Sequence, residues 1–211
     1  EAERDRSTYA ARRDALQLSL TRKDGHGHLL ESDVPGVLGT VAQLLTVEHG
    51  HEVAVAAALG AVADAVAVAS PADAAAALRR LKDADAGRAG LLVGGGTTHD
   101  EPLPALPAGA RWALDLVEGP TALRPALSRA LRRVAVVADL DAARRLVETV
   151  ADVRAVTPEG DVLGRDWAVG GSASAPSLLE VQAAVDEASA RHDEAHRRHQ
   201  RLAQEVGEAQ A

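Results

Sequence analysis

The spacing of apolar positions along this chain changes several times, and each change marks an element. From Ser177 onward, Leu178, Val181, Val185, Ala188, His192, Ala195, His199, Leu202 and Val206 alternate by three and four residues without a slip. Spacing of that kind over four heptads predicts a helix with an a/d seam, a coiled-coil arm over residues 177–211. Histidine at two a-type positions, 192 and 199, weakens the seam and offers a way to set its register. Residues 1–25 predict a second arm. Glu1 to Lys23 is charged and free of Gly and Pro, and Ala2, Tyr9 and Leu16 fall seven apart, with Leu20 one turn later.

Between the arms the elements are shorter. Val37, Val41, Leu44 and Leu45 stand at helical spacing and predict a helix over Val37–Leu45, followed by a helix at Glu52–Leu59. Ala65–Ala69 reads as a strand. Ser70-Pro71 ends it and starts a helix through Leu81, since Ser caps and Pro is tolerated in a first turn. Gly87-Arg88-Ala89-Gly90 turns into a strand at Leu91–Val93. Gly94–Gly109, GGGTTHDEPLPALPAG, is a linker without periodicity. Beyond it the pattern predicts a strand at Trp112–Val117 and a helix from Thr121 to Arg133. A strand at Val134–Ala138 and a helix from Leu140 to about Val150 follow. Strands at Arg154–Thr157 and Val162 flank the turn Pro158-Glu159-Gly160-Asp161.

The two halves repeat at an offset of 68: Leu59, Val66, Val68 and Leu78 fall on Leu127, Val134, Val136 and Leu146, and Asp73-Ala74-Ala75 falls on Asp141-Ala142-Ala143. The shared unit is helix, strand, acidic cap, helix. The pattern therefore predicts two related α/β subdomains, about 30–98 and 110–171, joined by the linker over 94–109 within residues 26–176.

The order of these motifs resembles the hinge domain of the structural maintenance of chromosomes (SMC) family, of bacterial type. The residues that carry the resemblance are Glu52-Val53-Ala54-Val55-Ala56-Ala57-Ala58-Leu59-Gly60, Val66-Ala67-Val68, Leu81-Lys82 and Gly87-Arg88-Ala89. Gly170-Gly171 resembles the start of the family's glycine-rich segment, whose second Gly pair is replaced around Ala175-Pro176. The resemblance implies an α/β hinge of two related subdomains flanked by an antiparallel coiled coil. It implies a non-enzymatic role: homodimerisation that joins the arms of a chromosome-organising ATPase. The expected contacts are sheet edges and the Gly segment, namely Leu91, Leu92, Val93, Gly170 and Gly171. ATP, Mg²⁺ and kleisin-type partners are expected only at head domains outside this sequence. The alternative is a small-molecule-binding or catalytic α/β domain whose heptad helix is accidental.

Composition narrows this further. Hydrophobic residues make up 46%, yet Phe is absent and only Tyr9, Trp112 and Trp167 are aromatic. Such a core buries little area per residue, so partner surfaces are expected to add stability. The absence of Cys excludes disulfides and thiolate metal sites. No Met is present, which reads as a piece of a longer protein. No apolar run approaches the ~20 residues of a membrane span, and the resemblance implies a cytoplasmic, nucleoid-associated location.

The net charge is −8, and residues 26–176 carry 13 Lys and Arg against 19 Asp and Glu. That balance argues against a dedicated nucleic-acid module but permits a local patch. Arg124, Arg129, Arg132, Arg133, Arg144 and Arg145 stand among only two acids, Asp139 and Asp141. Arg129, Arg132 and Arg133 share a face if the helix reaches that far. The expectation is weak, non-specific DNA contact, against the default of a solvated face.

Other constellations carry less. His26-Gly-His28 and His49-Gly-His51 are metal-ligand types placed in expected loops, and solvated histidines are the preferred reading, so no metal is expected. Gly94-Gly95-Gly96-Thr97-Thr98 lacks the Lys and helix start of a phosphate-binding loop. No catalytic residues are assigned, because no nucleophile elbow or Walker motif occurs.

Overall fold

A computed structural model describes Thr8, Ala10 and residues 25–32, 34–97, 102–171 and 178–209, with the side chains of 178 and 206–209 excepted. Two compact units result. One comprises Glu1–Thr21 and Val181–Ala211, the other Arg22–Glu180.

The first half of the larger unit builds from α1 (Gly25–Glu31), β1 (Val37–Thr40), α2 (Val41–Leu44), β2 (Thr46–Val47), α3 (Glu52–Leu59), β3 (Val66–Val68), α4 (Pro71–Asp83) and β4 (Leu91–Val93). β3 is central in a sheet of order β1-β3-β4, antiparallel to β1 and parallel to β4. All three of its residues are buried, as a strand covered on both faces requires. Ser70 starts α4 by accepting from the Asp73 N–H at 3.2 Å, with Pro71 behind it. α1 lies on α4, where Leu29, Ala77 and Leu81 form a buried cluster that Leu91 also joins.

The second half repeats that order as β5 (Arg111–Trp112), β6 (Val117–Glu118), α5 (Arg124–Ala130), β7 (Val134–Val136), α6 (Leu140–Thr149) and β8 (Arg154–Val156), then adds β9 (Val162–Leu163) and β10 (Ala168–Val169). Its sheet runs β10-β9-β8-β7-β5, and β7 is fully buried, antiparallel to β5 and parallel to β8. β3 and β7 therefore fill equivalent places at the offset the sequence predicts. The helices that follow differ by one residue: Ser70 caps α4, whereas Asp139 caps α6 by accepting from the Ala142 N–H at 2.7 Å. β2 and β6 also correspond, and they pair with each other antiparallel, joining the two halves directly. Glu48 reinforces that junction with a two-pronged pair to Arg111, at 2.5 and 2.9 Å. The Arg111 hydrogen bond holds the Glu48 carboxyl below its ordinary pKa and raises that of Arg111.

Several expected elements differ. The helix over Val37–Leu45 is strand β1 followed by one turn, because Gly36 and Gly39 sit at φ +81° and +131° and Thr40 caps only the last four residues. The expected loop at Gly25–His28 is helical. A Cβ at Gly25 would stand 2.7 Å from the Arg88 carbonyl carbon, so Gly lets α1 approach that backbone. The strand over Trp112–Val117 is interrupted by a 3₁₀ turn, Ala113–Leu116, whose buried Ala113 and Leu116 lie three apart. The helix to Arg133 stops at Ala130. The Val134 N–H bonds to the Leu131 carbonyl, and Arg133 takes φ +55°, which no helix continues through.

The final helix, α7 (Leu178–Ala209), spans the positions expected to form the seam. Val181, Val185, Ala188 and Ala195 are buried and His192 and His199 half-buried, but Leu202 is 45% exposed. The expected seam position at Leu202 is thus corrected. Imidazoles at 192 and 199 bury little apolar area, so the drive to cover the stripe fades there. Leu178 and Val206 have side chains outside the described set, as does the expected arm over residues 1–25 apart from Thr8, Ala10 and Gly25.

Candidate dimerisation site

The sheets of the two halves end on β1 and β4 and on β5 and β10. β4, the expected contact Leu91-Leu92-Val93, is an edge of the first sheet, and β10 is an edge of the second. Leu92 is buried while Leu91 and Val93 are half-buried, so β4 offers mainly backbone groups. β10 offers more. Both its residues are exposed, Val169 at 58%, and Trp167 beside it is 51% exposed. An edge strand flanked by large exposed apolar side chains has the features of a candidate interaction site.

Gly170 and Gly171 continue directly from β10, and an internal contact explains their residue type. A Cβ at Gly170 would stand 2.0 Å from Asp161 Oδ1 and 2.8 Å from its Cγ. The same oxygen accepts from the Gly171 N–H at 2.8 Å. Gly171 sits at φ +123°, where side chains are strained, and its own Cβ position faces open space. Asp161 is itself held. Its backbone N–H donates to Thr157 Oγ1 at 3.2 Å, and the Thr157 N–H donates to its carbonyl at 2.9 Å. Thr157 is fully buried, the sole such polar side chain among the described residues. At Gly170 a close approach exists within the chain, against Asp161, whereas at Gly171 the positive φ is what favours glycine. Ser172 to Pro176 lies outside the described residues.

Arg129, Arg132 and Arg133 do not share a helical face. With α5 ending at Ala130, Arg132 and Arg133 lie in the turn beyond it, which corrects the shared helical face expected for Arg129, Arg132 and Arg133. Arg129 donates to the Thr97 carbonyl at 3.1 Å and so pins the start of the Gly-rich linker. Arg133 donates to the Ala151 carbonyl at 2.9 Å, and Arg144 pairs with Glu148 at 2.9 Å. Arg124 and Arg145 are exposed, and their side chains make no hydrogen bond or ion pair to a described residue.

The histidine pairs are separated by role. His26 Nε2 accepts from the Gly90 N–H at 3.1 Å, latching α1 to the entry of β4. His49 and His51 face the carboxylates of Glu52 and Glu48, at 3.5 and 3.8 Å. Among the described residues no group of three or more His, Asp or Glu side chains is placed to hold a metal ion.

With these edges in place, the fold finds its relatives. The family model of the SMC protein flexible hinge domain matches residues 34–147. The chain belongs to the SMC hinge family. The chromosome partition protein Smc of Mycolicibacterium paratuberculosis is 47% identical over 192 residues, which cover 90% of this chain and 16% of that protein. The protein of the same name from Mycobacterium tuberculosis is 45% identical over 192 residues, covering 89% of this chain and 16% of its own. The chain thus spans about one sixth of the length of these relatives. Among solved structures, an asymmetric dimer of the Geobacillus stearothermophilus SMC hinge domain superposes with a TM-score of 0.78 at 28% identity, over 98% of this chain and 89% of that one. The Pyrococcus furiosus SMC hinge domain gives a TM-score of 0.59 at 26% identity, over 83% and 94%.

Sequence reasoning missed three features of this SMC hinge. β10 is two residues long and exposed, so it leaves no periodic trace. Trp167 had a signal, as one of only two Trp in the chain and the one placed just before the Gly pair. Asp161 had none beyond its place in a turn, because its partner lies ten residues away in the hairpin.

Proposed function

We propose that this hinge joins two copies of the chain head to tail, with β4 of each copy set against β10 of the other. The observation that carries it is that β4 and β10 end different sheets, one in each half, opposite the end strands β1 and β5, and that β10 exposes both its residues beside Trp167. Two such contacts close on themselves around a two-fold axis, leaving neither edge open. Backbone hydrogen bonds supply register, and Trp167 and Val169 supply apolar area. The arms, residues 1–25 and α7, pair antiparallel and carry the connection away from the hinge. In the whole protein the dimer links those arms within a chromosome-partitioning ATPase at the nucleoid. ATP, Mg²⁺ and kleisin-type partners belong to its heads, and the hinge itself does no chemistry.

Replacing Val169 by Lys tests the edge pairing, because a Lys on an exposed strand opposes strand addition without touching the core. The variant is expected to sediment as a monomer with unchanged circular dichroism. Dimerisation at the parent's affinity would refute the edge pairing. A second role, weak contact with DNA, is favoured by the unpaired guanidinium groups of Arg124 and Arg145.

A further inference from the structure

A cavity of about 290 Å³ opens between α6 and the loop over residues 107–110, away from the strands assigned to dimerisation. Its walls follow from two local features. On α6, Ala142, Arg145, Leu146 and Thr149 line it, a spacing of three and four that presents one helical face. Opposite them the loop turns at Gly109, φ +85°, with the Ala110 N–H bonded to the Pro107 carbonyl at 3.2 Å. The floor is Leu146 and Val137, 1% and 4% exposed, and both belong to the buried cluster under α6. No large side chain fills the space, because residues 108, 110, 138 and 142 are all Ala.

The rim is polar on the helix side only. The Arg145 guanidinium engages no described residue, whereas its neighbour Arg144 is neutralised by Glu148. The Thr149 hydroxyl donates to the Arg145 carbonyl at 2.7 Å, which leaves its oxygen free to accept. An apolar floor with one uncompensated guanidinium at its mouth has the chemistry of a site for an amphiphilic anion. A guanidinium matches a carboxylate through two parallel N–H···O bonds. A phosphate monoester carries nearly two charges, more than one cation balances. At about 30 Å³ per water-sized unit, the space holds a body of roughly ten non-hydrogen atoms.

We propose that this cavity binds a small monocarboxylate with an apolar body, its carboxylate on Arg145 and its hydrocarbon part over Val137 and Leu146. The site is independent of dimerisation, since it uses neither β4 nor β10. It adds a ligand-responsive position to the second half that the first half does not repeat, because residue 76, which the one-residue shift of the caps sets in the place of Arg145, is an Ala.

Amide chemical-shift titration of the whole 211-residue chain tests it, with 3-phenylpropionate as probe and 3-phenylpropionamide and inorganic phosphate as controls. The carboxylate is expected to shift the amides of residues 108–110, 137, 138 and 142–149 with saturable behaviour. The neutral amide should bind about fivefold more weakly at the same residues, as expected for one partly exposed charged contact. In Arg145→Gln the two probes should become equal. Ala142→Leu, which fills the cavity, should remove both. If Ala142→Leu does not fold, Arg145→Gln decides alone, since Arg145 is exposed and its loss disturbs no core. Phosphate shifting the same amides as strongly would reveal a surface anion contact and overturn the proposal. So would absence of saturable shifts, or an unchanged preference for the carboxylate in Arg145→Gln.

Discussion

Gly170→Ala isolates what holds the end of β10 in place. The new Cβ would stand 2.0 Å from Asp161 Oδ1, so the carboxylate must rotate away. Asp161 is short and its backbone is tied to Thr157, so little else can yield. Rotation breaks the 2.8 Å hydrogen bond from the Gly171 N–H. A hydrogen bond to a charged acceptor contributes about 1.5–3 kcal/mol, and partial exposure here places the loss near the lower end, about 1.5 kcal/mol. For a domain of this size that lowers Tm by roughly 3–6 °C. The assay is a double-mutant cycle by urea denaturation, combining Gly170→Ala with Asp161→Ala. Alone, Gly170→Ala should cost about 1.5 kcal/mol; beside Asp161→Ala it should cost less than about 0.5 kcal/mol, because the opposing oxygen is gone. Equal costs in both backgrounds would refute the latch, and so would a single variant as stable as the parent. The same variant should dimerise more weakly, since β10 loses its anchor.

Two further outcomes follow from the charges. The Glu48 carboxyl is held below its ordinary 4.5 by Arg111, so the pair's contribution is whole above that pH and is lost as pH falls through the depressed value. Arg111→Met should therefore flatten the acid limb of a stability–pH curve while leaving its shape above pH 5 unchanged; an unaltered acid limb would remove the pair from the account. DNA contact by Arg124 and Arg145 predicts affinity falling with salt at a slope of about −2 on a log–log plot. Double replacement of both by Glu should abolish binding in an anisotropy titration, and retention would mark them as a solvated face.

The repeat could be read from the chain because β3 and β7 are three-residue apolar runs buried on both faces, although the shared acidic cap expected at Asp73 and Asp141 lies inside each helix and the capping residues are Ser70 and Asp139. Burial on both faces needs apolar residues at every position, and that survives as sequence. α1 did not, since Gly25-His26-Gly27 has poor helix propensity and forms a helix through its contact with Arg88 and Gly90. The basic cluster was visible as composition only. Its dispersal depends on where α5 stops, and Leu131 to Arg133 carry no Gly or Pro to announce the turn. Of the site, β4 was legible as an apolar run after a glycine turn. The need for Gly at 170 was legible as well, but its cause, Asp161, lies across a hairpin that the pattern does not define.

The central claim is that two copies join through the hinge. Sedimentation equilibrium of the 21.8 kDa chain at micromolar concentration tests it most directly. The account predicts a species of twice that mass, and predicts that residues 26–176 alone also dimerise, because the interface belongs to the hinge and not to the arms. A single 21.8 kDa species across the whole concentration range would contradict it.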